Sequence, residues 1–306
     1  MKKNLTKPSL ALTGFLIAFI GAVLFSTKAI IVKKAFADEQ VDALTLLMIR
    51  MLFSLPFYIG AAIIIRKKNP GTKLTARQWL VTIALGLFGY YLSSLFDFVG
   101  LQYISAGLER LILFLYPSFA VLINAFVFKQ AIRQNEMIAL LLTYLGIGLA
   151  YYGELGLETS NPNFLLGTVL IFLCSITYAI YIVGSGRMVP AIGANKFTTY
   201  ALLSSTAGVF VHYLVRGDYH AFAASVDLWG YGILLAIVAT VIPTFMLSAA
   251  LKKIGSNKVA IISSIGPVST ILQAHYILGE EIFTLQLLGT AMVLTGVLLL
   301  ALKSKN

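Results

Sequence analysis

Cysteine and histidine, which build most thiol and transition-metal sites, are scarce in this chain of 306 residues: it has one cysteine, Cys174, and three histidines. A single cysteine excludes an internal disulfide and a zinc cluster built on thiolates. Charged residues make up only 11% of the chain, against about 25% in soluble domains. A water-soluble globule is therefore all but excluded, because too few charges are present to cover its surface.

Apolar residues dominate what remains. Hydrophobic residues account for 59% of the chain, which also excludes a disordered protein. At roughly 20 residues per span, the length allows about ten short-looped membrane helices. The predicted fold class is an all-α polytopic membrane protein with ten transmembrane helices. The apolar stretches cover residues 10–32, 43–65, 79–101, 106–128, 137–152, 164–188, 197–215, 228–251, 259–278 and 282–302.

The basic residues predict an orientation. If the N-terminus lies in the cytoplasm, most of the 23 lysines and arginines fall in cytoplasmic segments, and only Lys33, Lys34 and Arg216 fall outside. This bias favours both termini in the cytoplasm, and it supports ten spans because a missed span would scramble the alternation. The first stretch is too long for a signal peptide, so we interpret it as an uncleaved span. The net charge of +11 then reflects topology and contact with anionic lipid, and nucleic-acid binding is not expected.

An internal repeat relates the two halves of the chain. Residues 101–150 align without a gap with residues 251–300, so that Pro117 falls on Pro267 and Gly146 on Gly296. Proline and glycine matches carry weight because backbone geometry, rather than hydrophobicity, selects these residues. Each half would hold five spans, and an odd number makes the second half enter the membrane from the opposite side. Such inverted repeats are common in secondary transporters.

Several motifs resemble the EamA-type transporters of the drug/metabolite transporter superfamily. The similar segments are GLQYISAGLERLILFLYP at 100–117, ALKKIGSN at 250–257, IGP at 265–267, LGE at 278–280, Gly289, and STK at 26–28. One departure is visible, since the first half has Phe128-Lys129-Gln130 where the second has Leu278-Gly279-Glu280. The resemblance implies two EamA-like units, at 1–153 and 163–306, packed as inverted five-helix repeats around a central cavity. It also implies movement of small organic solutes, often outward.

Ionisable residues inside the apolar stretches are the sharpest sign of a site. A charge at the bilayer centre costs at least ~2.5–3.5 kcal/mol, so it normally faces protein or water. At about 1.5 Å per residue, the set lies roughly 6–12 Å from the midplane, all in the outer half. Its members are Lys28, Arg50, Asp97, Glu109 and Arg110, with His275 and His212 as possible additions.

Two interpretations of this layer stay open. In one, the ions only pair with each other and hold the first helices together. In the other, they line a water-filled cavity. Three cations against two acids leave a surplus positive charge, which suggests a carboxylate-bearing or zwitterionic solute held by Arg50 or Lys28. Asp97, Glu109 and His275 are candidate proton carriers, because apolar surroundings favour the neutral form of a carboxyl group.

Prolines and tyrosines complete the predicted pathway. Pro56, Pro117, Pro243 and Pro267 lie within spans, where each removes a backbone hydrogen bond and serves as a static kink or a hinge. Pro117 and Pro267 would flank a central site near the midplane. Tyr116 and Tyr178 are candidate neutral hydrogen-bonding groups for a solute, although such groups more often bond to neighbouring helices.

The predicted function is secondary transport of a small organic metabolite or drug, by alternating access and as an exporter. A bacterial cytoplasmic membrane is the expected location, with lipid, a solute and protons as expected partners and a monomer or homodimer as the expected state. A channel and an intramembrane enzyme are the alternatives. The sequence has no His-Glu-x-x-His, no Gly-x-Ser-x-Gly and no nucleotide-binding loop, so neither catalysis nor a cofactor or metal is predicted.

Overall fold

The computed structural model describes residues 7–68, 74–155, 162–218 and 226–302, and every regular element in these ranges is helical. Lys2, Lys3, Lys73, Lys303 and Lys305, which contribute to the predicted orientation, lie outside them. The helices are α1 (Lys7–Asp38), α2 (Ala43–Lys68), α3 (Ala76–Gly86), α4 (Ser93–Gly100), α5 (Ala106–Leu113), α6 (Tyr116–Phe128), α7 (Gln134–Leu155), α8 (Phe164–Ile192), α9 (Ala194–Arg216), α10 (Val226–Ala236), α11 (Ile242–Ile254), α12 (Ser256–Ser263), α13 (Gly266–Gln273) and α14 (Thr284–Leu302).

Eight helical segments of the described chain have the length and apolar composition needed to cross a membrane. They are Leu12–Asp38, Ala43–Lys68, Ala76–Gly100, Ala106–Phe128, Gln134–Leu155, Phe164–Ile192, Val226–Leu251 and Ile261–Leu278. Helix α9 is long enough but richer in polar residues, and the apolar part of α14, Thr284–Leu299, is shorter. The all-α polytopic class is therefore confirmed, whereas the count of ten spans stays a prediction.

Helix interruptions recur at a constant spacing of 150 residues. A π-helical turn joins α3 to α4 at Leu87–Leu92, and another joins α10 to α11 at Ile237–Val241. Residues 114–115 separate α5 from α6, and residues 264–265 separate α12 from α13. Lys129 and Gly279, which follow the next helical segments, both have left-handed backbone angles. The two halves thus share backbone irregularities that neither composition nor hydrophobicity requires.

Three of the four predicted kink prolines stand at these interruptions. Pro117, Pro243 and Pro267 occupy the first turn of α6, α11 and α13. A proline is tolerated there because a first-turn amide has no partner within the helix. Pro56 differs, because α2 runs through it without a break.

Helix packing follows the same two-part plan. Helix α1 packs on α11, α12 and α13, and its counterpart α8 packs on α4, α5 and α6. The counterparts α2 and α9 pack on each other, as do α7 and α14, which share the most extensive interface. In that interface Gly146 and Gly289 each lie against the other's carbonyl oxygen, and Gly296 lies against Ala139 and Thr143. Glycine permits this approach because it has no Cβ.

The helix ends define two faces of the bundle. We call the acidic end the one where α1 ends at Asp38, α7 ends beside Glu154, and α14 begins after Glu280. The basic end is the one where α2 ends at Lys68, α6 ends before Lys129, and α9 begins just before Lys196. Successive long helices run alternately between these ends.

A substitution in the α7–α14 interface tests this packing. We expect Gly146→Leu to destabilise the fold by about 1–3 kcal/mol, because the added side chain collides with backbone atoms of α14. Gly148→Leu is the matched control, since Gly148 has open space around it. The measurement is the thermal unfolding midpoint in detergent, and equal midpoints for the two variants would contradict the described interface.

Candidate functional site

Lys28 forms the centre of a buried ion cluster. Its Nζ lies 2.5 Å from Asp97 Oδ2 and 3.6 Å from Glu109 Oε1. The three side chains come from α1, α4 and α5, and those of Asp97 and Glu109 are 2% and 0% exposed. Two carboxylates in an apolar interior require a nearby cation. The ammonium of Lys28 therefore holds three helices together at one point.

Arg50 lies beside this cluster without a carboxylate of its own. Its side chain is buried, its Nη2 donates a weak hydrogen bond of 3.4 Å to Ser94 Oγ, and its guanidinium stacks 5.3 Å from the centre of the Phe98 ring. Its Nε has no hydrogen-bond partner among the described residues. The aromatic face offsets part of the cost of burying the charge.

Arg110, on α5, also packs against aromatic rings. Its guanidinium lies 5.7 Å from the ring centre of Phe25 and 5.4 Å from that of Phe114, and it packs against the Cα of Gly266. A side chain at position 266 would occupy the place of the guanidinium. Within the described part of the chain, no carboxylate approaches Arg50 or Arg110 to within 4.0 Å.

The acidic end closes over this cluster through a second set of polar contacts. The carboxylate of Glu154 accepts hydrogen bonds from the Ser105 amide (3.0 Å) and hydroxyl (2.7 Å). Glu280 accepts from the amides of Ala106 (2.9 Å) and Gly107 (3.3 Å). Carboxylates are favourable at a helix N-terminus, because the free amides there carry partial positive charge. Both glutamates thus cap α5.

Lys33 completes this cap. Its Nζ lies 3.7 Å from Glu280 Oε1 and donates a hydrogen bond of 2.7 Å to the carbonyl of Ile104. The cap joins α1, α5 and α7 to the segment between α13 and α14, so it ties the first half of the chain to the second. We refer to Lys33, Ser105, Glu154 and Glu280 as the acidic-end cap.

Tyrosines lie between the ion cluster and the basic end. The rings of Tyr116 and Tyr178 meet edge to face at 5.1 Å, and Tyr178 stacks on Tyr181 at 6.0 Å. The hydroxyl of Tyr181 donates a hydrogen bond of 3.2 Å to that of Tyr90. The two tyrosines selected from the sequence are therefore neighbours within a larger aromatic group.

The structure brings some of the sequence-predicted residues together and separates others. Lys28, Asp97 and Glu109 are in direct contact, with Arg50 and Arg110 around them. His275 is outside this cluster: its side chain is exposed, and Nδ1 lies 2.9 Å from the backbone carbonyl of Glu280. His212 lies 3.0 Å from the hydroxyl of Tyr91. Depth along a helix placed both histidines near the charges, but depth does not specify the direction of a side chain.

Sequence reasoning missed other members of the site. Glu154 and Glu280 are not among the site residues predicted from the sequence, although the LGE motif at 278–280 contains Glu280. Ser93 and Cys174 are buried beside the cluster, with Oγ and Sγ 3.3 Å apart. Neither stands out in the sequence, because serine and cysteine are ordinary components of membrane helices.

Comparison with known proteins assigns the chain to a family. The model of the EamA-like transporter family matches the chain twice, over residues 12–152 and 165–302. The chain belongs to the EamA-like transporter family. Among its relatives is the uncharacterized transporter YcbK of Bacillus subtilis, which is 31% identical over 294 residues, covering 94% of this chain and 93% of that protein.

More distant relatives extend the comparison. The uncharacterized transporter YetK of B. subtilis is 22% identical over 234 residues. The aligned region covers 76% of this chain and 71% of YetK. A solved crystal structure superposes with a TM-score of 0.64 at 17% identity, over 95% of this chain and 97% of the other. It supports the fold alone. The family and the two named relatives support a general role of the chain as a membrane transporter.

Removal of the shared cation tests the ion cluster of this EamA-like transporter. Lys28→Met leaves two buried carboxylates without a cation, and we expect a loss of about 3–5 kcal/mol in stability. Adding Asp97→Asn and Glu109→Gln should recover most of the lost stability. The measurement is the unfolding midpoint in detergent.

The matched control for Lys28 is Lys34→Met on the same helix. Lys34 forms an exposed pair with Asp38 at 2.9 Å, and exposed pairs contribute little, so its midpoint should not change. If the Lys28 variant were as stable as the Lys34 variant, the described cluster would be wrong.

Proposed function

We propose that the protein is a secondary transporter that carries a small organic solute with a carboxylate group across the cytoplasmic membrane of a bacterium. It works by alternating access, as an exporter, with both termini in the cytoplasm. The observation that carries the proposal is the pair of buried arginines, Arg50 and Arg110, that have no carboxylate partner among the described residues. Because Lys28 is already shared by two acids, the surplus positive charge belongs to the arginines.

The proposed architecture is ten spans arranged as two inverted repeats, residues 1–153 and 163–306. Its support is the recurrence of π-helical turns, helix breaks and left-handed residues at a spacing of 150, together with the matching helix contacts. The double match of the family model points the same way. On this plan α9 and α14 are the seventh and tenth spans.

The chemistry favours Arg50 over Lys28 as the group that binds the solute carboxylate. Lys28 is held by Asp97 at 2.5 Å, so a solute would have to displace that contact. Among the described residues Arg50 Nε has no hydrogen-bond partner, and the guanidinium makes one weak hydrogen bond, to Ser94. A planar guanidinium also matches a carboxylate with two parallel hydrogen bonds.

Substitution of Arg50 tests the assignment. We expect Arg50→Ala to weaken solute affinity about 10- to 100-fold, the effect of losing a charged hydrogen bond of about 1.5–3 kcal/mol. Arg50→Lys should fall between this variant and the wild type. The measurement is counterflow in proteoliposomes with a panel of radiolabelled amino acids and carboxylates, which also separates a carrier from a channel.

Arg216→Ala at the exposed end of α9 is the control for Arg50. Its affinity should match the wild type. Unchanged affinity in Arg50→Ala would remove Arg50 from the solute site.

Protons are the proposed coupling ion. Asp97 and Glu109 share one ammonium, which brings their like charges close together. A proton bound to one of them would relieve that repulsion, and its release would follow rearrangement of the three helices. We expect an imposed proton gradient to drive solute accumulation in wild-type vesicles and Glu109→Gln to abolish this coupling while counterflow persists. Equal accumulation with and without the gradient would exclude protons.

A further inference from the structure

One face of α2 carries three buried polar side chains whose hydrogen bonding is incomplete within the described chain. Arg50, Ser54 and Tyr58 are spaced four residues apart, which places them on the same side of the helix. They are 5%, 0% and 7% exposed. Among the described residues Arg50 Nε has no hydrogen-bond partner, and Ser54 Oγ and the Tyr58 hydroxyl interact at most with each other. An unsatisfied buried polar group costs about 1–3 kcal/mol. Three such groups along one side of α2 indicate that this side faces a solute or water during function.

The same face continues to the basic end. At 3.6 residues per turn, Ala61 lies about three turns from Arg50 and Lys68 about five, so both share its direction. Ala61 and Ile65 are half-buried, whereas Ile63, on the opposite side, is 51% exposed. The face of α2 that bears Arg50 therefore continues past Tyr58 through small and aliphatic residues, Ala61 and Ile65, to Lys68 in the last turn.

A cleft opens where this face ends. It has a volume of about 380 Å³ and lies between the end of α2 and the turn that joins α8 to α9. Two lysines and several aliphatic side chains line it, and the lining comprises Ile64, Ile65, Lys68, Ile192, Gly193, Ala194, Asn195 and Lys196. Cationic groups beside an apolar wall suit an organic anion with an aliphatic part.

The third span diverges from α2 towards the basic end. Helix α2 packs on α9 and on α4, the half of the third span near the acidic end, whereas α3 packs on α8 and α9. At the acidic end, the contacts of Glu154 and Glu280 with α5 close the bundle.

We propose that the cleft between Lys68 and Lys196 is the mouth through which an organic anion enters from the basic end, and that the Arg50–Ser54–Tyr58 face of α2 leads it to Arg50. This route rests on the proposed transport function. The lysines attract the anion, since clustered charge of one sign raises the association rate of an opposite charge. The buried polar groups then replace its lost water.

Thiol labelling tests the route without any solute. In a Cys174→Ser background, which removes the chain's only cysteine, Ala61→Cys lies on the proposed route and Ile63→Cys is its matched control on the outer side. Membrane vesicles that expose the basic end are treated with a negatively charged methanethiosulfonate reagent, MTSES, or a positively charged one, MTSET. Rates are normalised to those of free cysteine.

We expect Ala61→Cys to react and Ile63→Cys to stay unreactive in the lipid. At low salt, MTSES should be favoured over MTSET about tenfold at position 61. Lys68→Glu combined with Lys196→Glu should remove or reverse that preference, whereas Lys67→Glu, outside the cleft, should leave it unchanged. Ser54→Cys provides a second, nearly isosteric site that should show the same charge preference, should Ala61→Cys fold poorly.

Several outcomes would overturn the route. These are no labelling at positions 54 and 61, faster labelling from the acidic end, and a charge preference that survives the double glutamate variant. Labelling needs no transport, so the two experiments are independent. If positions 54 and 61 are not labelled but counterflow depends on Arg50, only the route is rejected. Labelling as expected alongside Arg50-independent counterflow would instead reject the assigned solute site.

Discussion

The balance between one ammonium and two carboxylates in the buried interior governs the rest of this structure. Lys28 must remain near Asp97 and Glu109, because each carboxylate alone would be costly to bury. This requirement fixes the relative positions of α1, α4 and α5. Arg50 and Arg110 form no ion pair with a carboxylate among the residues that the structure describes, and they pack on phenylalanine rings instead. Because Lys28 is paired with both acids, the positive charge that is left without an ion-pair partner lies on Arg50 and Arg110.

Much of the fold was predictable from the sequence, because long apolar stretches and first-turn prolines act locally. Pro117 and Pro267 begin new helices at equivalent places, as backbone geometry requires. The departure between Lys129-Gln130 and Gly279-Glu280 was less predictable. Both segments adopt the same left-handed turn despite different residues, so the shared backbone outweighed the local preference for glycine.

The five charged residues of the ion cluster and its surroundings were predictable from the sequence, but their pairings and the acidic-end cap were not. The cost of a buried charge identifies Lys28, Arg50, Asp97, Glu109 and Arg110 from the sequence alone. Which cation meets which acid depends on rotation of each helix about its axis, and a difference of one residue turns a side chain by about 100°. This is why His275, at a suitable depth, lies outside the cluster. Glu154 was missed for a related reason, since its partners are some 49 positions away in the chain.

The acidic-end cap has a consequence for the energetics of the two halves. Gln130 occupies the position equivalent to Glu280, and its side chain is exposed at the basic end. An amide cannot supply the charge that Glu280 contributes to the first turn of α5. Under the proposed alternating access, the acidic end is therefore held by a charged contact that Gln130 does not provide at the basic end. The conformations that open the two ends would then differ in free energy even without a bound solute.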